Sequence, residues 1–422
     1  MEVREPSAKY LVSQCKRTEA GDIPFDWIDM PIGAIAEVTS GGTPSRKVAA
    51  FWDGDIPWVT TAELDGGQIT AASQHITAAG LQNSAAKWLA PGTLLIALYG
   101  QGKTRGKCAV LRIAATTNQA CAAITLAKEV DSDFVRHNLT HRYEYIRSLS
   151  NGGSQENLSG LIVKQIRVGL PPTRTEQHSI ASALTDADAL IDSLEQLLTK
   201  KRQIKQGAMQ ELLTGKRRLP GFDRPWKESK LCQLGTFLKG SGVRRDEALS
   251  GDLPCVRYGE IYTTHSDHIR SFSSWISPVV AATSTVLRRG DLLFAGSGET
   301  KEEIGKCVAF LYNEPAYAGG DIVILRPTVE ADSMFLGYLL NMPFVVRQKA
   351  SRGQGDAVVH ISANALGEIE VELPEVPEQT TIAQVLSDMD TELTALESRL
   401  TKARALKQAM AQALLTGKIR LN

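Results

Sequence analysis

The chain is written twice, and that constrains its fold more than any other feature. The segment "QHSIASALTDADALIDSLEQLLTKKRQIKQGAMQELLTGKRRL" (177–219) aligns without a gap on "QTTIAQVLSDMDTELTALESRLTKARALKQAMAQALLTGKIRL" (379–421), with about half the positions identical. Fixed-period self-similarity is the mark of a duplicated architecture. The rest of each half repeats more faintly. "DIPWVTTAEL" (55–64) answers "DLPCVRYGEI" (252–261), "GTLLIALYGQGKTRGKCAVL" (92–111) answers "GDLLFAGSGETKEEIGKCVAFL" (290–311), and "LSGLIVKQIRVGLPP" (158–172) answers "ISANALGEIEVELPE" (361–375). The chain is therefore a globular segment followed by a helix, twice, after an unmatched N-terminal arm.

Both repeated segments carry a narrow heptad seam. In the first, Ile180, Leu184, Ala187, Ile191, Leu194 and Leu198 step by four and three; in the second, Ile382, Leu386, Met389, Leu393, Leu396, Leu400 and Ala403 do the same. Such a seam suits one helix packed on another. Thr173 and Glu176 are placed for a capping box, Pro377 for a first helical turn, and each "TG" for a left-handed terminal cap. A helix of about 38 residues is about 57 Å long at 1.5 Å per residue. An apolar stripe of that length needs a partner, and antiparallel pairing of the two repeats puts one globular domain at each end of a dumbbell with approximate two-fold symmetry. The alternative is that each helix packs on its own domain. Within the globular segments, short apolar runs bounded by Gly and Pro ("LLIAL", "CAVLRI", "CAAITL", "IRVGL"; "DLLFA", "CVAFL", "DIVIL", "EIEVEL") predict strands, and 132–148 and 333–350 predict helices. The fold class is α+β with two β-rich domains.

Several chemistries are weighed and set aside. "ALYGQGKT" (97–104) nearly spells a phosphate-binding loop, but "RGKCAVLRI" after it reads as a strand where the motif needs a helix, and the twin copy has Gly298-Glu299-Thr300 there. Asp291, Glu299 and Lys301 fit a loose metal-nuclease spacing that the first half lacks. His137 and His141 lie one turn apart like zinc ligands, yet without a third ligand they read as surface histidines. The six cysteines show no metal-type pairing. No apolar run is long enough to cross a membrane, and the first residues are too polar for a signal peptide, so a cytoplasmic protein is expected. Lys+Arg and Asp+Glu balance at 47 each, which removes any global electrostatic pointer to nucleic acid and leaves only local ones.

What remains is a set of glycine-rich polar loops. Gly41, Gly42, Thr43, Ser45 and Arg46 lie in one, with Thr60 and Thr61 after the next strand. Tyr99, Gln101, Lys103, Thr104, Arg105 and Lys107 form a second, Asn118 and Gln119 a third, and Gly153, Ser154 and Gln155 a fourth. In the second half the counterparts are Lys239, Ser241, Arg244 and Arg245; Arg257 and Tyr258; Ser297, Thr300, Lys301 and Lys306; and Arg352 and Gln354. Arg and Lys neutralise phosphates, Asn, Gln and Arg pair with base edges, and glycine admits close backbone approach. This is an inventory for reading double-stranded DNA, and the alternative for any single loop is a merely solvated turn.

Together the features resemble the specificity subunit of a type I restriction–modification enzyme. The resemblance rests on the paired helix starts (Glu176, Gln177, Ile180, Leu184; Glu378, Gln379, Ile382, Leu386), the two "LLTGK" ends, "GDIPWVTTAEL", "TTNQACAAI" and "GGSQENLSGL", and covers nearly the whole chain. In the second half "AYAGGDIVI" stands where the first has "TTNQACAAI". The resemblance implies an N-terminal arm (1–24), a first target-recognition domain (25–173), a central helix (174–218), a second recognition domain (219–375) and a C-terminal helix (376–422). Each recognition domain would read half of a bipartite site. The helices would set the spacer and bind two DNA methyltransferase (M) subunits, which restriction-translocase (R) subunits then join. The chain itself would be non-catalytic and hold no cofactor or metal; S-adenosylmethionine, ATP and Mg2+ would belong to the partners. Two other readings stay open: a duplicated protein-binding scaffold, and a metal-dependent nuclease using Asp291 and Glu299.

Overall fold

A computed structural model describes residues 15–100, 103–149, 157–355 and 358–421. The expected contacts Gln101, Gly153, Ser154 and Gln155 lie outside these residues. The chain divides into two units, Met1–Glu195 with Ser398–Asn422, and Gln196–Glu397.

In the first unit the main sheet has the order Ala36–Ser40, Cys121–Leu126, Leu94–Ala97, Cys108–Leu111 and Gln68–Ile69. Its central strands read as unbroken apolar runs because both faces are covered. Leu94, Ile96, Cys108, Val110, Ala122 and Ile124 face one core with Trp27, Phe134 and Leu139. Their neighbours Leu95, Ala97, Ala109, Leu111, Cys121 and Ala123 face a second core with Val59 and Leu64. Alternation along a strand sends successive side chains to opposite faces, so the two cores follow from one sheet. A smaller sheet pairs Trp52–Val59 with Thr116–Thr117 in parallel and Gln74–Ile76 antiparallel. Residues Cys15–Thr18 and Gly21–Pro24, in the segment read as an arm, form a hairpin that puts Ile23 into the first core.

The second unit repeats this topology. Gly235–Lys239, Ile322–Pro327, Leu292–Ala295 and Cys307–Ala309 stand in the same order. Leu253–Val256 pairs parallel with Ala316–Ala318 and antiparallel with Ser274–Ile276. The faint half-to-half similarity is thus a fold duplication. Even the helix cap after the small-sheet strand recurs: the backbone N–H groups of Thr60 and Arg257 donate to Glu63 and Glu260, 2.7 and 3.2 Å away.

The long helices span Arg174–Leu212 and Val376–Leu414. Ile180 and Leu184 are buried in the first core beside Ala411, Leu414 and Leu415, so domain and partner helix share one seam. In the second unit Ile382 and Leu386 lie with Leu212, Leu213, Phe335 and Leu366. Leu194, Leu198 and Leu400 are also buried, while Ile191, Met389, Leu393 and Leu396 are half-buried. Ion pairs show the direction within each unit. Asp188 and Glu195 meet Lys407 and Arg404 in the first, and Lys201 and Lys205 meet Glu392 and Asp390 in the second. Numbers rise on one helix as they fall on the other, which is antiparallel packing. Both helices end as their glycines require, with Gly215 and Gly417 each at φ +66°.

The helix start departs from the expected box. Thr173 Oγ1 accepts from the Glu176 N–H at 3.2 Å, but the Glu176 carboxylate turns to Arg420, at the far end of the other helix. Arg420 Nη2 lies 2.8 Å from Glu176 Oε2, and Nη1 and Nη2 each lie 2.9 Å from Asp26. The second unit repeats the clasp: Arg218 Nε and Nη2 reach Glu378 at 2.6 and 2.7 Å. Beside each glutamate a glutamine is duplicated too. Gln177 accepts from the Asp131 N–H and donates to the Pro171 carbonyl; Gln379 does the same with Asp332 and Pro374. These contacts account for the most strongly repeated letters of the sequence.

Candidate nucleic-acid interface

The near-phosphate-binding loop joins two antiparallel strands. Gly106 N–H donates to the Ala97 carbonyl at 2.9 Å and Ala97 N–H to Lys107 at 2.8 Å, and the chain continues as Cys108–Leu111. Among the described residues a strand, not a helix, follows the loop. Asp291 is engaged otherwise than the nuclease reading asks: it is 1% exposed, bonded through both oxygens to Arg326 at 2.8 and 2.7 Å, and accepts from the Arg288 N–H. The expectation of two surface histidines needs correction for His137, which is 3% exposed and bonds Thr185 Oγ1 at 3.0 Å. Burial, with Arg136 and Lys407 nearby, pushes its ring down to about 3, so it is neutral. His141 is exposed and meets Gln412. Among the described residues no group of three or more His, Cys, Asp or Glu could hold a metal ion.

Residues from several of the polar loops line a cleft in each unit. In the first it is lined by Thr39, Ser40, Tyr99, Gln119, Ser159 and Lys164; in the second by Lys239, Ser297, Asp321, Arg352, Gln354 and His360. The two clefts are the same place in the repeat. Leu98 N–H donates to the Ala120 carbonyl and Leu98 O accepts from Leu158; Gly296 makes the matching bonds with Asp321 and Ile361. Each cleft also abuts a short helix whose serine, Ser159 or Ser362, caps it. Segments far apart in sequence thus converge because the buried strand Leu94–Ala97 or Leu292–Ala295 ends between them. The lining differs, however. The first carries an exposed tyrosine, an amide and a lysine, and the second an amide, two basic side chains, a carboxylate, and a histidine whose Nδ1 is 2.9 Å from Ser297 Oγ.

Of the expected contacts, Thr43, Ser45, Arg46, Tyr99, Lys103 and Gln119 are exposed in the first unit. Lys239, Arg244, Arg245, Tyr258, Thr300, Lys301 and Gln354 are exposed in the second. Thr43 Oγ1 bonds Gln119, tying two loops together. Thr61, Thr104 and Lys107 are half-buried. Others make contacts within the fold, although Ser297 and Arg352 also line the second cleft. Gly41 and Gly42 are buried, and a Cβ on either would overlap Thr117 or Ala85; Gly42 N–H already donates to Thr117. Arg105, 7% exposed, donates to the Arg147 carbonyl at 3.0 Å. Lys306 donates to the His265 carbonyl at 2.6 Å, and burial lowers its pKa. Ser297 is buried against His360. Thr60 and Arg257 cap their helices, Asn118 accepts from the Ala120 N–H, Ser241 bonds Thr283, and Arg352 bonds the Gln348 carbonyl. A buried donor must be satisfied, and the nearest carbonyl does so before a ligand can. Lys164, Asp321 and His360 were missed because they lie past the ends of the glycine-rich stretches. The repeat alignment of "LSGL" with "ISAN", which brings Ser159 onto Ser362, was a signal that could have found Lys164, but it does not reach Asp321 or His360.

A family model described as the type I restriction modification DNA specificity domain matches residues 24–206 and again 224–403. The MjaVIII specificity subunit of a type I restriction enzyme from Methanocaldococcus jannaschii is 22% identical over 425 residues, covering 94% of each chain. The MjaIX specificity subunit of the same organism is 30% identical over 186 residues, which is 43% of this chain and 42% of that protein. Among solved structures, the type I restriction–modification system S subunit from M. genitalium matches with a TM-score of 0.60 at 15% identity, over 94% of this chain and 96% of that one. At that identity the likeness is one of fold. The chain belongs to the type I restriction modification DNA specificity family and carries the family's domain twice.

Proposed function

We propose that each unit reads one half of a bipartite DNA site for a type I restriction–modification complex, through the cleft and the exposed loops around it. The observation that carries this is the duplicated cleft with unlike linings: one scaffold, two chemistries. Arg and Lys side chains anchor phosphates, and amide, guanidinium and imidazole groups discriminate base edges. Because the two linings differ, the two half-sites differ. The long helices set the spacer and dock two methyltransferase subunits, to which restriction-translocase subunits bind. Methyl transfer to adenine from S-adenosylmethionine and the ATP- and Mg2+-dependent cleavage belong to those partners; this chain supplies placement. Half-sites one turn of DNA apart are about 34–36 Å from each other, within the reach of a 39-residue helix of about 58 Å.

Mapping of modified adenines in cells carrying the chain and its methyltransferase tests the reading. The expected result is an asymmetric, interrupted motif, and a palindrome overturns the claim that the unlike clefts read unlike halves. Adding seven residues to both helices should widen the spacer and leave both half-sites unchanged.

A further inference from the structure

The first unit stacks an exposed arginine on a small core built around Trp58, Ile76 and Ala86, with Trp52 packed against it. The Arg46 guanidinium carbon lies 3.6 Å from the centroid of the Trp52 ring and 5.1 Å from that of Trp58. The two indoles meet edge-to-face, 5.0 Å apart at 87°. Their N–H groups anchor the loop that carries the arginine: Trp58 Nε1 donates to the Gly42 carbonyl at 2.9 Å and Trp52 Nε1 to Ser45 at 3.1 Å. Arg46 Nη2 donates to Gln74 Oε1 at 2.6 Å. Among the described residues no carboxylate pairs with it, although the side chain is exposed. In the second unit the alignment of "DIPWVTTAEL" on "DLPCVRYGEI" puts Cys255 where Trp58 stands and, carried back at the same offset, Leu249 where Trp52 stands. The second domain folds without this stack, so the stack is peculiar to the first.

We propose that Arg46 reads a guanine in the half-site of the first domain, with Trp52, Trp58 and Gln74 as positioning residues. This rests on the proposed DNA-reading function. An arginine on a loop ordinarily gives up much rotamer freedom on binding; here stacking and one hydrogen bond have already fixed its plane. Gln74 occupies a single N–H of the fork. The remaining edge presents parallel donors, which match two acceptors side by side in one plane, the O6 and N7 of guanine in the major groove. A phosphate contact needs charge but no such orientation, and an unstacked lysine would serve it equally well.

The test uses the full chain assembled with its methyltransferase subunits, with modified adenines mapped for wild type, Arg46→Lys, Arg46→Ala and Trp52→Leu. Arg46→Ala is expected to relax a guanine requirement at one position of one half-site, with discrimination there falling on the order of ten- to a hundred-fold. The other half-site stays unchanged. Arg46→Lys keeps the charge and loses the fork, so it relaxes the same position; Trp52→Leu does so more weakly. A motif unchanged in Arg46→Ala, with binding weaker on every sequence and a salt slope smaller by about one, identifies a phosphate contact and overturns the assignment. Relaxation by Ala with full retention by Lys overturns the fork. If the wild-type complex marks no defined motif, the underlying reading fails, and that result is distinct from a motif that merely ignores Arg46.

Discussion

Replacing Arg420 by alanine should destabilise the first unit far more than an exposed ion pair could. In the fold, Arg420 spans Glu176 and Asp26, engaging each carboxylate through two nitrogens. Glu176 is 6% exposed and the Arg420 side chain 15% exposed, whereas Asp26 is 52% exposed. Loss of the guanidinium therefore leaves one buried carboxylate without its counter-charge, which costs about 3–5 kcal/mol. The Asp26 arm adds about 0–1 kcal/mol. For a unit of this size the loss is a fall in melting temperature of roughly 6–20 °C. The same helix supplies an internal control. Arg404 and Glu195 are 2.6 Å apart but 59% and 45% exposed, so Arg404→Ala should cost under about 1 kcal/mol. Thermal unfolding of the full chain, with hydrogen exchange followed over residues 174–184, reads both variants. Replacing Glu176 and Arg420 together by leucine and methionine should recover most of the loss, because neither then leaves a stranded charge. If Arg420→Ala is no worse than Arg404→Ala, the clasp does not hold the helix ends together and the reasoning fails.

Three further outcomes follow from the same geometry. His137 stays neutral in the folded state down to about 3, while the unfolded chain takes up a proton near 6.5; the unfolded state thus binds more protons between those values, and stability falls as pH drops below about 6.5 by up to about 1.4 kcal/mol per unit. His137→Gln should flatten that part of the profile between pH 7 and 5, and an unaltered slope would place the acid sensitivity elsewhere. Gly215→Ala should cost about 1–2 kcal/mol for its left-handed backbone alone, and Gly417→Ala more, since its new methyl also overlaps the Pro24 ring; equal losses in denaturant unfolding would contradict this. Gln177→Ala strips partners from the Asp131 N–H and the Pro171 carbonyl at once, a cost of about 1–3 kcal/mol for buried groups, and a melting curve indistinguishable from wild type would refute it.

Much of the architecture was legible because it is periodic or repeated. The heptad seams located both helices, the apolar runs located the strands of both main sheets, and the two "TG" ends located the left-handed caps. The missing helix after "ALYGQGKT" was legible too, since "CAVL" cannot be both a buried strand and a helix start. The site was less so. Loop composition named Thr43, Arg46 and Gln119 alongside Arg105, Ser297 and Lys306, and only the first three face solvent.

Sequence by itself determined that this protein is a duplicated pair of domains, each followed by a long helix, because burial patterns and duplication leave a local, period-bound trace. Which polar side chain meets which partner was decided only by tertiary structure. Glu176 is placed like a capping-box residue, yet it faces an arginine more than two hundred positions away. Arg46 and Arg105 are the same letter in similar loops, but one is stacked at the surface and the other hidden beneath a carbonyl. Hydrogen-bond and charge pairing act over about 3 Å of space without regard to distance along the chain, so no local pattern encodes them.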